Sequence, residues 1–185
     1  MGAYMRATGL FGHFARVVAL GAALLASGCA TLDNAPPANF ARDARWAVLP
    51  FANATETPLA GQRAASLAAA LMPSLGVADV RSYPERLEDD SLLEPGQGAS
   101  RDKALEWARG QEARYALSGT VHEWRYKVGV DGEPVVGVSV QVIDVADGRV
   151  VWSSVGAKSG WSRESLAGVA QKLMRDLISP ALRAR

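Results

Sequence analysis

The 185-residue chain is poor in the residues that build metal and redox sites: one cysteine, Cys29, and two histidines, His13 and His122. A solitary cysteine cannot close an internal disulfide. His13 lies in a leading segment that reads as a cleaved signal, so His122 is left alone, too little for a zinc-type ligand set. It falls in "TVHEWRY", where strand alternation makes it a half-exposed sheet residue. The chain has no Gly-x-Ser-x-Gly nucleophile elbow. Its "GQGAS" stretch is no phosphate loop, and no spacing singles out an acid/base pair of carboxylates. These absences argue against an enzyme and against a bound cofactor or metal. A basic excess is missing too: 20 lysines and arginines face 19 acids, and Arg6 and Arg16 belong to the leading segment. The electrostatic footprint of a nucleic-acid binder is therefore absent. No internal repeat or low-complexity tract interrupts the chain.

What the sequence does have begins at its N-terminus. Arg6 and Arg16 precede the apolar run "VVALGAALLASG", which falls short of the roughly 20 residues a spanning helix needs. The run ends in "LLASGC". Charge, a short apolar core and small residues before Cys29 read as a bacterial secretion signal, and the last residues resemble a lipobox. Residues 1–28 are thus expected to be removed and Cys29 to be acylated. Each buried methylene contributes about 0.8 kcal/mol, so several acyl chains make the anchor effectively permanent. Ala30 follows the cysteine. Aspartate there resembles an inner-membrane retention signal, and its absence favours the outer membrane, with the domain facing the periplasm. Residues 29–44, with Pro36 and Pro37 and little apolar pattern, read as a lipidated tether. Residues 45–185 suit one domain with a sizeable core.

Within that domain "RWAVLPF" reads as a buried strand and "NATETP" as a turn. In "LAGQRAASLAAALM" the positions Leu59, Arg63, Leu67 and Leu71, widened by Ala64 and Ala68, predict an amphipathic helix that Pro73 and Gly76 end. "GVADVRSY" is a second strand, suggesting a right-handed parallel crossover. The acidic, turn-rich residues 84–100 read as a loop with a short helical piece, and Ser100 as the cap of a helix over 101–109 that Gly110 closes. Three strands follow. "YALSGTVHEWRYKV" leads into the turn "GVDGEP". In "VVGVSVQVID" the valines 136, 138, 140 and 142 alternate, so one face is buried. "VADGR" turns into "VVWSSVGAK". A helix over 162–177 presents Leu166, Val169, Ala170, Leu173, Met174 and Leu177 on one face. The expected fold class is α/β: a single domain of order βαβαβββα, a mixed sheet with packed helices.

The stretches "WAVLPFANATETPLAGQRAASL", "VHEWRYKVGVDGEPVVGVSVQVID" and "GRVVW" together resemble the PelC family of lipoproteins. "GRVVW" alone is weak, because many periplasmic α/β lipoproteins carry it. The resemblance spans roughly residues 45–177. It implies a non-enzymatic homo-oligomer, a ring of twelve subunits under the outer membrane. It also implies an outer-membrane β-barrel export protein as partner, and a cationic, partly deacetylated Pel exopolysaccharide of biofilms as cargo. The competing class is a monomeric periplasmic lipoprotein that activates a peptidoglycan synthase. Residues 29–44 extend at most about 50 Å, a short arm for crossing the periplasm, which favours the ring.

Two surface features follow from this frame. Trp161, in "SGWSRES" between Lys158 and Arg163, lies outside the apolar pattern on either side. Tryptophan favours the membrane–water interface, so Trp161, Lys158 and Arg163 are candidate membrane-interface residues. The other reading has Trp161 capping the last helix by packing on its own sheet. Asp131 and Glu133 in "VDGEP" are candidates for an acidic surface guiding cationic polymer, or are ordinary solvated turn residues. "ERLEDD", with Glu85, Glu88, Asp89 and Asp90, is a second acidic source. Trp124 and Trp152 lie in strands, as core or subunit contacts, and Trp46 and Trp107 read as local packing.

Overall fold

Valine alternation gives the sheet its sidedness. In a computed structural model, which describes residues 30–84, 97–129 and 132–182, Val136, Val138, Val140 and Val142 are all fully buried on the face covered by two helices. The strands are β1 (Ala30–Asn34), β2 (Arg45–Asn53), β3 (Asp79–Ser82), β4 (Tyr115–Tyr126), β5 (Pro134–Asp144) and β6 (Val150–Ser159). The helices are α1 (Ala60–Ser74), α2 (Gln97–Gly110) and α3 (Leu166–Ile178), followed by a short 3-10 turn at Ser179–Leu182. The strands form one sheet in the order β1-β6-β5-β4-β2-β3. β2 is parallel to both β3 and β4, and the other pairs are antiparallel. The expected mixed α/β sheet is therefore present, with one strand more than the sequence pattern suggested.

That extra strand is β1. Ala30–Asn34 pairs antiparallel with β6, with Ala30 opposite Lys158 and Asn34 opposite Ser154. Residues 30–44 are thus docked, which corrects their reading as a loose tether. The reason is a set of polar contacts that apolar pattern cannot show. Ser154 Oγ meets Asn34 Oδ1, Ala35 N donates to Ser153 O at 3.0 Å, and Trp152 Nε1 donates to Pro36 O at 3.1 Å. Further on, Phe40 packs edge-on against Trp46 and Tyr115, and Arg42 donates to Leu182 O. Pairing β1 also covers the outer edge of β6, an edge that would otherwise invite strand addition.

Helices α1 and α3 share one face of the sheet with the larger core, which includes Trp46, Phe51, Leu117, Trp124, Trp152, Leu173 and Leu177. Helix α2 lies on the opposite face, over a smaller cluster of Leu49, Leu105, Ala116 and Ile143. The buried face of α1 is Ala60, Gly61, Ala64, Ala68, Leu71 and Met72. Its small side chains let the helix approach the sheet closely: a Cβ on Gly61 would lie 2.1 Å from Phe51 O. The expected stripe is therefore shifted by one position. Leu59 is not in it; it precedes the helix with φ 61° and points outward.

Other boundaries move for local reasons. β2 runs through Pro50, which has no N–H to give the ladder, and its register against β4 shifts between Val48 and Phe51. Ser118 Oγ donates to the Pro50 carbonyl at 2.9 Å. β4 ends at Tyr126, so Val128 lies beyond the strand. α2 begins at Gln97, so Ser100 is inside the helix and does not cap it. α3 begins at Leu166 because Ser165 caps it, its side chain accepting from Gly168 N.

Candidate membrane-facing end and sheet groove

One end of the sheet gathers the residues singled out above. β4 leaves the sheet there and β5 enters it, with Tyr126 opposite Pro134. β6 ends there too, with Ser159 opposite Val135. The turn after β6 is fastened to that hairpin: Gly160 N donates to Pro134 O at 2.8 Å, and Leu166 N donates to Tyr126 Oη at 3.1 Å. The turn is also closed on itself. Glu164 accepts from Trp161 N at 2.9 Å and pairs with Lys172. Its carboxyl is held below the usual range, first by Lys172 and then by the Trp161 N–H.

Trp161 is 57% exposed on this turn, so it is no part of the core. The stripe of α3 that begins at Leu166 buries Val169, Ala170, Leu173, Met174 and Leu177 without it. Arg163 is exposed and makes no ion pair among the described residues. Lys158 lies 3.6 Å from Asp176 and opposite Ala30. The first described residue after Cys29 is therefore at this same end; Cys29 itself lies outside the described residues. Trp124 and Trp152 are core residues, as is Trp46, whereas Trp107 packs edge-on against Tyr83.

The acidic candidates fare differently. Glu133 is next to the Trp161 turn, at the base of the β4–β5 hairpin, and its carboxylate is 3.1 Å from Lys127 Nζ. Much of its charge is neutralised locally. Asp131 lies outside the described residues, and so do Glu85, Glu88, Asp89 and Asp90.

A second feature was not legible in the sequence. On the sheet face opposite α3, a groove of about 940 Å³ is lined by Thr31, Asp33, Glu56, His122, Glu123 and Val155 among others. Glu123 is paired with Arg125 at 2.7 Å, while Asp33 and Glu56 have no cation partner among the described residues. These carboxylates come from β1, the β2–α1 loop and β4, too far apart in sequence to read as a group. His122 Nε2 is 3.0 Å from Ser139 Oγ. A nucleophilic serine also needs a group that orients the imidazole through its other nitrogen, and no such bond is present among the described residues. No group of three or more His, Cys, Asp or Glu there could hold a metal ion, and no described helix is long and apolar enough to cross a membrane.

Known structures share this architecture. A PelC dodecamer from Paraburkholderia phytofirmans is 46% identical, with a TM-score of 0.71 over 84% of this chain and all of that one. A dodecamer of a single-substitution PelC variant from the same organism matches with the same identity, coverage and TM-score. A lipoprotein from Neisseria meningitidis is 17% identical, with a TM-score of 0.50 over 72% of this chain and 94% of its own, a likeness of fold alone. No family model and no curated protein matches the chain.

Proposed function

This chain belongs to the PelC family, and from that premise we propose that it is a non-enzymatic subunit of a lipid-anchored homo-oligomeric ring assisting Pel exopolysaccharide export. The ring, a dodecamer like its relative, lies at the periplasmic face of the outer membrane, beside a β-barrel export protein. The observation that carries this reading is the 46% identity to a PelC dodecamer whose whole chain is covered.

The geometry supports the membrane side of the reading. The chain leaves Cys29 at Ala30, opposite Lys158, and Trp161 is exposed on the turn that follows. Acyl anchor and indole then reach the bilayer from one end of the sheet. Transfer of one such side chain out of water contributes about 1.5–3 kcal/mol, and rotational repetition of one subunit contact multiplies it around the ring. Arg163, exposed beside the indole, suits the phosphates of lipid headgroups, whereas Lys158 is paired with Asp176. The competing role, a monomer reaching across the periplasm to a synthase, gains less support, because the stretch that would form its arm is paired into the sheet.

Secretion tests the proposal. Removing the chain from a Pel-producing host should lower released polymer while synthesis continues, and supplying it again should restore release. Undiminished release without the chain would overturn the export role.

A further inference from the structure

Four large hydrophobic side chains are at least half exposed among the described residues: Leu59 at 58%, Tyr126 at 50%, Val128 at 99% and Trp161 at 57%. All four lie at one end of the sheet. Leu59 precedes α1, at the end of the sheet where β2 finishes; Tyr126 closes β4 and Val128 lies two residues beyond it; Trp161 follows β6. At the opposite end the turn between β5 and β6 exposes Ala146, Asp147 and Arg149, and the first residues of β6, Val150 and Val151, are 44% and 41% exposed, less than any of the four. Exposed apolar groups scattered singly need no explanation, but their collection at one end does.

The three segments are tied together. Thr57 Oγ1 donates to Trp124 O at 2.6 Å, which fastens the segment before Leu59 to β4. Tyr126 and Pro134 hold the Trp161 turn through the bonds to Leu166 N and Gly160 N. Among the described residues the carboxylates at the hairpin and the turn are paired: Glu123 with Arg125, Glu133 with Lys127, Glu164 with Lys172; Asp131 lies outside them. Glu56 has no cation partner among the described residues, so the Leu59 segment forms the margin of the patch and the hairpin its centre. Ala30, the first described residue, is at this end, opposite Lys158.

We infer that the β4–β5 hairpin, through Val128 and Tyr126, is a second membrane-contact element, which enters the interface of a phospholipid bilayer beside Trp161. The inference rests on the membrane seating proposed above and adds a contact that seating does not require. Val128, 99% exposed two residues beyond the half-exposed Tyr126, sets an apolar side chain outside an aromatic ring that carries a hydroxyl, the arrangement that suits headgroup depth.

The test uses the full acylated protein in vesicles of phosphatidylethanolamine and phosphatidylglycerol. Cys29 is the only cysteine and its thiol is blocked by acylation, so one introduced thiol carries one polarity-sensitive dye, verified by mass. Val128→Cys, Ser162→Cys and Ala146→Cys place the dye on the hairpin, beside Trp161 and at the opposite end. All three positions are exposed, so folding is retained. The expected result is a blue shift, and quenching by lipids with a nitroxide near the headgroup, for the dyes at 128 and 162 but not at 146. Quenching at 162 without quenching at 128 overturns the hairpin contact and leaves the Trp161 seating standing. Quenching at 128 alone upholds the hairpin and removes the seating of Trp161. Quenching at neither removes both, and equal quenching at 146 overturns the inference by showing that the dye itself seeks the lipid.

Discussion

Ala30 lies opposite Lys158 where β1 meets the end of β6, and the β6 chain continues from Lys158 into the turn that exposes Trp161. The residue after Cys29, the proposed acylation site, and the exposed indole are therefore held by one pair of strands. A freely swinging anchor would leave the domain's orientation to chance. The proposed anchor, starting at the sheet, would fix which end meets the membrane and leave only a second contact to set the tilt of the domain.

Replacing Cys29 with serine should remove acylation, because the hydroxyl is a poor substitute for the thiolate nucleophile. Labelling cells with a fatty acid and isolating the protein checks this. The expected product is an unlabelled precursor that retains residues 1–28. Normal labelling of Cys29→Ser would contradict the lipoprotein reading.

Trp161→Ala and Trp46→Ala should behave oppositely. Trp161 is exposed, so its truncation should change stability by no more than about 0.5 kcal/mol while weakening attachment of the unacylated protein to vesicles. Trp46 is fully buried, packs with Phe40 and Tyr115, and donates to Ala41 O at 3.0 Å. Its truncation should cost about 3–5 kcal/mol. Thermal unfolding and vesicle flotation of both variants measure the contrast. A large stability loss in Trp161→Ala, or unchanged flotation, would remove the indole from the membrane.

What the sequence reveals and conceals follows from where each signal is written. The alternating valines of β5 and the Leu166–Leu177 face of α3 announce themselves because each buries one side against a broad core. β1 does not, because all five of its residues are exposed; its pairing is dictated by the edge of β6 and by Asn34 and Trp152 contacts remote in sequence. The helix α1 misleads, since its largest residues suggest a stripe through Leu59 whereas alanines and Gly61 make the contact. Trp161 stood out because it broke the pattern on both sides. Leu59 and Val128 did not, since Leu59 stands one residue before its helix begins and Val128 two residues after its strand ends, each extending the apolar pattern of its element. Asp33, Glu56 and Glu123 meet only through the fold.

Acidification should loosen the Trp161 turn. Glu164 has its pKa lowered in the fold by Lys172 and by the Trp161 N–H. Its contribution to stability is therefore fully present above the unfolded carboxylate pKa of about 4.3 and is lost as pH falls through the lower folded value. Glu164→Gln keeps an acceptor for Trp161 but removes the ion pair. The wild type should unfold at a slightly higher temperature than the variant at pH 7, and the gap should close with falling pH through the carboxylate range. A gap that is the same at pH 7 and below that range would show that the ion pair contributes nothing. Lys172 is exposed and Glu164 only partly buried, so the gap should be small.

The central claim is that copies of this chain close into a ring. The most direct measurement is the native mass of the acylated protein, extracted in mild detergent and compared with that of the signal-free domain, by mass spectrometry or light scattering across a range of concentrations. The account predicts a single closed species of twelve subunits for the acylated protein, with no ladder of open intermediates. A mass that stays at one subunit for both forms at every concentration would contradict it.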